Sequence, residues 1–122
     1  MHSSTESSSA MAILYVLISR GTTVLAEFTC SSGNFPTITR LLLGKLSGTD
    51  EKMSYQYDEF AFHYITESNI TYLCMSDDIN KRRIPFIFLD DLKQRFQSTF
   101  GDAVNTAIAY SMSESFSKVM EV

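Results

Sequence analysis

The spacing of apolar positions changes several times along the chain, and each change predicts a new element. Residues 12–19 (AILYVLIS) are apolar on both faces, the mark of a central strand covered on two sides. Arg20-Gly21-Thr22 follows as a tight turn, with glycine free to take a positive φ. Residues 23–29 (TVLAEFT) alternate more visibly and pair back as a hairpin. After the loop Ser31-Ser32-Gly33-Asn34 the period becomes helical, with Phe35, Ile38, Leu42 and Leu46 on one stripe. Asn34 is placed to cap that helix, and Pro36 is tolerated in its first turn. Gly44 weakens the helix by ~1 kcal/mol relative to alanine, and Ser47-Gly48-Thr49-Asp50 ends it.

Three strands come next. Residues 52–57 (KMSYQY) place Met53, Tyr55 and Tyr57 on one side. Asp58-Glu59 turns the chain into 60–66 (FAFHYIT), and Glu67-Ser68-Asn69 turns it again into 70–75 (ITYLCM). The last of these is apolar on both faces and belongs in the middle of a sheet. Pro85 then opens a helix running to about Phe100, whose core side is Phe88, Leu89, Leu92, Phe96 and Phe100. Gly101 is placed to end it in a left-handed conformation. Val104, Ile108, Met112, Phe116 and Met120 predict a last helix. The order is strand, strand, helix, three strands, helix, helix. Short hairpin links make the sheet antiparallel, and its doubly apolar strands need cover on both faces. The expected fold is therefore α/β (α+β): a three-layer α/β/α domain, its five-stranded antiparallel sheet carrying one helix on one face and two on the other.

Composition narrows what such a domain can do. With 44% hydrophobic residues the chain can build a core, and 122 residues make one domain. A net charge of −4 argues against a nucleic-acid binder and gives no reason to expect adhesion to an anionic membrane. The apolar run 12–18 falls well short of the ~20 residues that cross a bilayer. Glu6, with no Lys or Arg upstream of the run, argues against a signal peptide. Residues 1–10 (MHSSTESSSA) read as a disordered tail, a natural extension or an expression remnant, before a domain at 11–122. Cys30 and Cys74 read as buried, reduced thiols, and His2 and His63 stand too far apart for a zinc site. No cofactor or metal is expected, Asp77-Asp78 being capping chemistry rather than a calcium loop. A triad of His63 with Asp58 or Asp77 can be imagined, but no GxSxG elbow and no phosphate-binding GxxxxGK[ST] is written here. His63 reads as a satisfied structural histidine, and the chain as a non-enzyme. Lys81-Arg82-Arg83 reads as a solvated helix start, with contact to acidic partners or lipid headgroups as the sharper alternative.

Four segments carry a resemblance to a known family. MAILYVLISRGTTVLAEFT at 11–29, GNFPTITRLLLGKL at 33–46, FHYITESNITYLCMSDD at 62–78 and RRIPFIFLDDLKQRF at 82–96 are together similar to the longin domains of R-SNAREs of the vesicle-associated membrane protein seven group. No one motif is diagnostic; the collinear set is. The resemblance implies a longin/profilin-like fold and a non-catalytic regulatory and sorting head for a vesicle R-SNARE. Such heads act in membrane trafficking and fusion, on the cytosolic face of vesicle, endosomal, lysosomal or vacuolar membranes. Implied partners are the SNARE motif of the same protein, bound as autoinhibition, and peptides of trafficking adaptors or Rab effectors. Cognate Q-SNAREs would be met only through a SNARE motif, and the membrane only through an anchor. Neither is written in these residues, so this soluble fragment reads as an excised head or a short form. A small scaffold subunit of an adaptor or tethering complex shares the topology, as does a profilin-like actin binder.

The residues themselves suggest where binding occurs. The strand at 52–57 falls at a sheet edge, whose free N–H and C=O groups can accept another chain. A groove between it and the first helix is expected, with Met53, Ser54, Tyr55 and Tyr57 on the strand and Ile38, Leu42, Leu43 and Leu46 on the helix. Leu43 lies about 100° around the helix from Leu42 and is read as a wall off the core stripe. The resemblance places Met53 and Tyr55 at the centre of this groove. The plainer alternative is that they are ordinary half-buried strand residues.

Overall fold

A computed structural model describes residues 13–29, 35–46, 49–77 and 83–101. It contains β1 (Ile13–Arg20), β2 (Thr23–Thr29), α1 (Phe35–Leu43), β3 (Glu51–Tyr57), β4 (Phe60–Glu67), β5 (Ile70–Ser76) and α2 (Arg83–Phe100). The strands form one sheet in the order β2-β1-β5-β4-β3, antiparallel at every junction. The hairpin β1–β2 and the meander β3–β4–β5 are joined through β1 and β5. Those are the strands whose sequences are apolar on both faces, and both are buried almost throughout.

Turn chemistry fixes the registers. Ser68 and Asn69 both take positive φ, as a type I′ hairpin requires, and close β4 onto β5. Gly21, at φ +57, turns β1 into β2, and its N–H donates to the Asn69 carbonyl at 3.1 Å. Two hairpins at one end of the sheet are thus pinned together. A β-bulge pairs Ile18 with Ala26 and Ser19 with Val24, leaving Leu25 without a partner. Past the bulge the faces shift: Val24 packs on the α1 side, while Leu25 and Ala26 both pack on the α2 side.

Each face has its own core. On one side Phe35 and Leu43 of α1 cover Tyr15, Leu17, Phe62, Tyr64, Leu73 and Met75. On the other, Leu89, Leu92 and Phe96 of α2 cover Val16, Ile18, Ile65, Tyr72 and Cys74. α2 follows its expected bounds, with Pro85 buried in its first turn and Gly101 at φ +53 ending it. The pairs Lys93–Glu67 (3.3 Å) and Lys52–Asp90 (3.8 Å) bind it at the rim. α1 is shorter than expected. Its last i→i−4 bond is Gly44 N–H to the Arg40 carbonyl (3.2 Å), after which Lys45 and Leu46 donate three residues back, to Leu42 and Leu43. Glycine is a poor helix former, and the chain tightens and leaves there. Leu46 is consequently outside the helix, although it still packs against the α1-side core.

The sheet, its antiparallel sense and a helix on each face match the expected α/β layering. The expected third helix (Val104 to Met120), the 1–10 tail, the Asn34 cap, Cys30 and Lys81-Arg82 lie outside the described residues.

Candidate functional site: the groove between α1 and β3

β3 is an edge strand. A two-residue loop connects it to β4, with Tyr57 opposite Phe60. In such a hairpin the flanking pair exchanges both backbone bonds, and alternation then leaves the N–H and C=O groups of Lys52, Ser54 and Gln56 facing outward. The side chains of Tyr55 and Tyr57 stand on the α1 face and are 43% and 44% exposed. Tyr55 stacks on Tyr64 of β4, with ring centres 6.2 Å apart and planes inclined by 21°. Tyr57 leans on Phe62 at 6.2 Å. Tyr64 is itself buried and donates its hydroxyl to Glu51 (2.9 Å). Burial, followed by the neighbouring Glu51 carboxylate, pushes that phenol upward, so it stays neutral and holds its bond.

The facing wall comes from α1. Ile38 and Leu42 are half-buried, and Leu41 is 66% exposed. Together with Lys45, Gln56 and Phe62, these two walls enclose a cavity of about 230 Å³. Of the five exposed large hydrophobic residues among those described, Leu41, Tyr55 and Tyr57 meet here, which makes the groove an apolar concentration rather than scattered surface. α1 is fastened from behind: Tyr15 donates its hydroxyl to Glu27, which also lies 3.9 Å from Arg40. Burial, then the Glu27 carboxylate, pushes the Tyr15 phenol upward as well.

The geometry sorts the residues expected from sequence. Ile38, Leu42, Tyr55 and Tyr57 come together at the cavity. Leu43 does not; it is 4% exposed and belongs to the core. The buried stripe of α1 is Phe35-Thr39-Leu43, rotated from the expected Phe35-Ile38-Leu42-Leu46 stripe, and this turns Leu41 outward. Thr39, a polar residue in the core stripe, hid that rotation from a hydrophobic pattern. Met53 is half-buried against the α1-side core rather than lining the cavity. The side chain of Ser54 lies on the opposite face, as strand alternation demands between Met53 and Tyr55, and bonds His63 Nδ1 at 2.8 Å. Leu41, Lys45, Gln56 and Phe62 line the cavity without having been expected there. Three consecutive leucines gave no sign of which would face out.

His63 is fully buried, with Nδ1 on Ser54 and Nε2 on Ser76 (2.9 Å), and its ring packs T-shaped against Phe86 with ring centres 5.6 Å apart. Both ring nitrogens are engaged inside the sheet, the arrangement of a structural histidine. Cys74 is buried, and desolvation pushes its thiol upward, away from the reactive thiolate. Among the described residues no group of three His, Cys, Asp or Glu could hold a metal, and no helix is long and apolar enough to cross a membrane.

Comparison with known proteins agrees with this fold. The longin family model, described as a regulated-SNARE-like domain, matches residues 25–120. The chain belongs to the longin family. It is 53% identical over 111 residues to vesicle-associated membrane protein 7B of Dictyostelium discoideum, covering 91% of this chain and 43% of that one. Vesicle-associated membrane protein 711 of Arabidopsis thaliana is 50% identical (90% of this chain, 51% of its own), and human vesicle-associated membrane protein 7 is 41% identical (90% and 50%). This longin domain therefore resembles those of R-SNAREs of the vesicle-associated membrane protein 7 type, which are non-catalytic trafficking proteins. The chain spans about half the length of these relatives.

Proposed function

We propose that this longin domain is the regulatory head of a vesicle R-SNARE and that its α1–β3 groove binds a chain segment. The occupant is the SNARE motif of the same protein, or a competing peptide from a coat adaptor or Rab effector. Through its SNARE motif and anchor, the whole protein would act in vesicle transport and fusion, facing the cytosol from vesicle, endosomal, lysosomal or vacuolar membranes. The observation that carries this reading is the meeting of exposed Leu41, Tyr55 and Tyr57 beside an unpaired strand edge. Apolar surface left in water costs ~25 cal/mol per Å². A bound segment would remove that cost and also satisfy the outward N–H and C=O groups of β3. A SNARE motif held there cannot enter a SNARE bundle, so occupancy would couple sorting to fusion readiness.

The experiment is titration of a separate SNARE-motif peptide of this type into the labelled domain, followed by NMR shift mapping. Shifts at 38–45 and 52–57 are expected. Shifts confined to α2 would place the contact elsewhere. Leu41→Ser with Tyr55→Ser should weaken binding at least about tenfold while the fold persists, because these side chains are exposed. Unfolding of that double variant would mean that the two residues serve the core instead.

A further inference from the structure

The groove carries a charge asymmetry that constrains its occupant. Of its described lining residues Lys45 alone is charged, and the rest of the wall is aliphatic or aromatic apart from Gln56. The Gln56 amide is already directed at the Asp58 carbonyl, 3.3 Å away. Three of the described carboxylates already have partners of their own. Glu27 holds Tyr15 and lies against Arg40, Glu51 accepts from Tyr64, and Asp50 accepts from the Ser68 amide at 3.0 Å. Among the described residues no carboxylate stands within ion-pair distance of Lys45. The 122-residue chain as a whole is acidic, with net charge −4, so the groove has the sign opposite to the chain's average.

Resting on the groove reading above, we infer that the groove selects an amphipathic segment that sets apolar side chains on Leu41, Tyr55 and Tyr57 and a Glu or Asp carboxylate on Lys45. A segment lying over Lys45 removes water from its ammonium group, and that loss is recovered only if the segment supplies an anion. A segment with Lys or Arg at the same point sets two cations together in a partly dried site and is rejected. The apolar wall thus supplies attraction, and Lys45 supplies register and sign.

The test uses the full 122-residue chain and two synthetic peptides of identical leucine spacing, one with glutamates and one with lysines at the polar positions. Binding is read by NMR shifts and calorimetry. The glutamate peptide should shift Leu41, Lys45, Tyr55 and Tyr57 and bind roughly threefold to tenfold tighter than the lysine peptide. Added salt should narrow that gap. Lys45→Met should erase the preference and Lys45→Glu should invert it. Both variants should melt with the parent, since Lys45 is exposed. Equal binding of both peptides in the groove overturns the acid preference and leaves the groove reading standing. Absence of binding, or shifts elsewhere, overturns both. Concentration-dependent shifts at Lys45 in the free protein, with the mass of a dimer, would give the groove to a second copy of this chain and end the proposal.

Discussion

Leu41, Leu42 and Leu43 are chemically identical neighbours with three different tasks, and position around α1 alone separates them. Leu43 is 4% exposed and Leu41 66%, with Leu42 between. Leu43→Ala should cost about 2–5 kcal/mol, because it leaves a cavity beneath the helix. Leu41→Ala should leave stability within about 0.5 kcal/mol. Chemical denaturation of both variants measures the difference, and equal losses would disprove the assigned helix rotation. Ser19 makes a second residue-scale point. Its hydroxyl is buried with no hydrogen-bond partner among the described residues, at the bulge where β1 shifts register. A buried unpaired polar group destabilises the fold, so Ser19→Ala should stabilise it by about 1 kcal/mol. A lower melting temperature in that variant would reveal a partner for the hydroxyl.

At the scale of elements, legibility followed the strength of the local signal. The strands could be read because alternation, doubly apolar runs and turn residues all agreed. β2 begins and ends where its sequence pattern does, and Ser68-Asn69 turns where Asn was placed to turn. α2 could be read because Pro85 and Gly101 punctuate it. The groove was half legible. The edge position of β3 and the exposure of Tyr55 and Tyr57 follow from strand order and period. The facing wall does not, because Thr39 stands in the core stripe and a run of three leucines carries no phase. The end of α1 was misplaced for a related reason: Gly44 interrupts an apolar pattern that continues to Leu46. That break can be tested. Gly44 has an ordinary negative φ, and an added Cβ would meet only the Leu41 and Arg40 carbonyl oxygens, at 3.6 and 3.8 Å. Gly44→Ala should therefore extend α1, stabilise the domain by about 0.5–1 kcal/mol and raise hydrogen-exchange protection at Lys45 and Leu46. Unchanged protection there would show that the chain leaves the helix for a reason other than glycine. If the extension succeeds, Lys45 moves relative to the cavity, and the acid preference should change with it.

For the whole molecule, the two cores share a titration. Tyr15 and Tyr64 sit in the α1-side core and Tyr72 in the α2-side core. Burial first, and then the carboxylates of Glu27, Glu51 and Glu67 respectively, push all three phenols above the usual tyrosine range; Gln97 opposes the shift at Tyr72. In the unfolded chain a tyrosine ionises near pH 10 (about 10). Above that pH the unfolded state has released protons that the folded state still holds, so unfolding is favoured progressively as pH rises. Below it the three phenols are neutral in both states and contribute no pH dependence. Stability should thus be flat with respect to these groups at neutral pH and fall steeply on the alkaline side of 10. Because the phenols are spread over both faces of one sheet, the layers should be lost together. The tyrosinate absorbance of Tyr15, Tyr64 and Tyr72 should then develop in one step with the loss of circular dichroism, and Tyr64→Phe, which cannot ionise, should move that step to higher pH. If the absorbance of all six tyrosines developed with the fold intact, the buried phenols would be reaching water without unfolding. The two-sided core described for this domain would then be too loose to hold the groove strand in place.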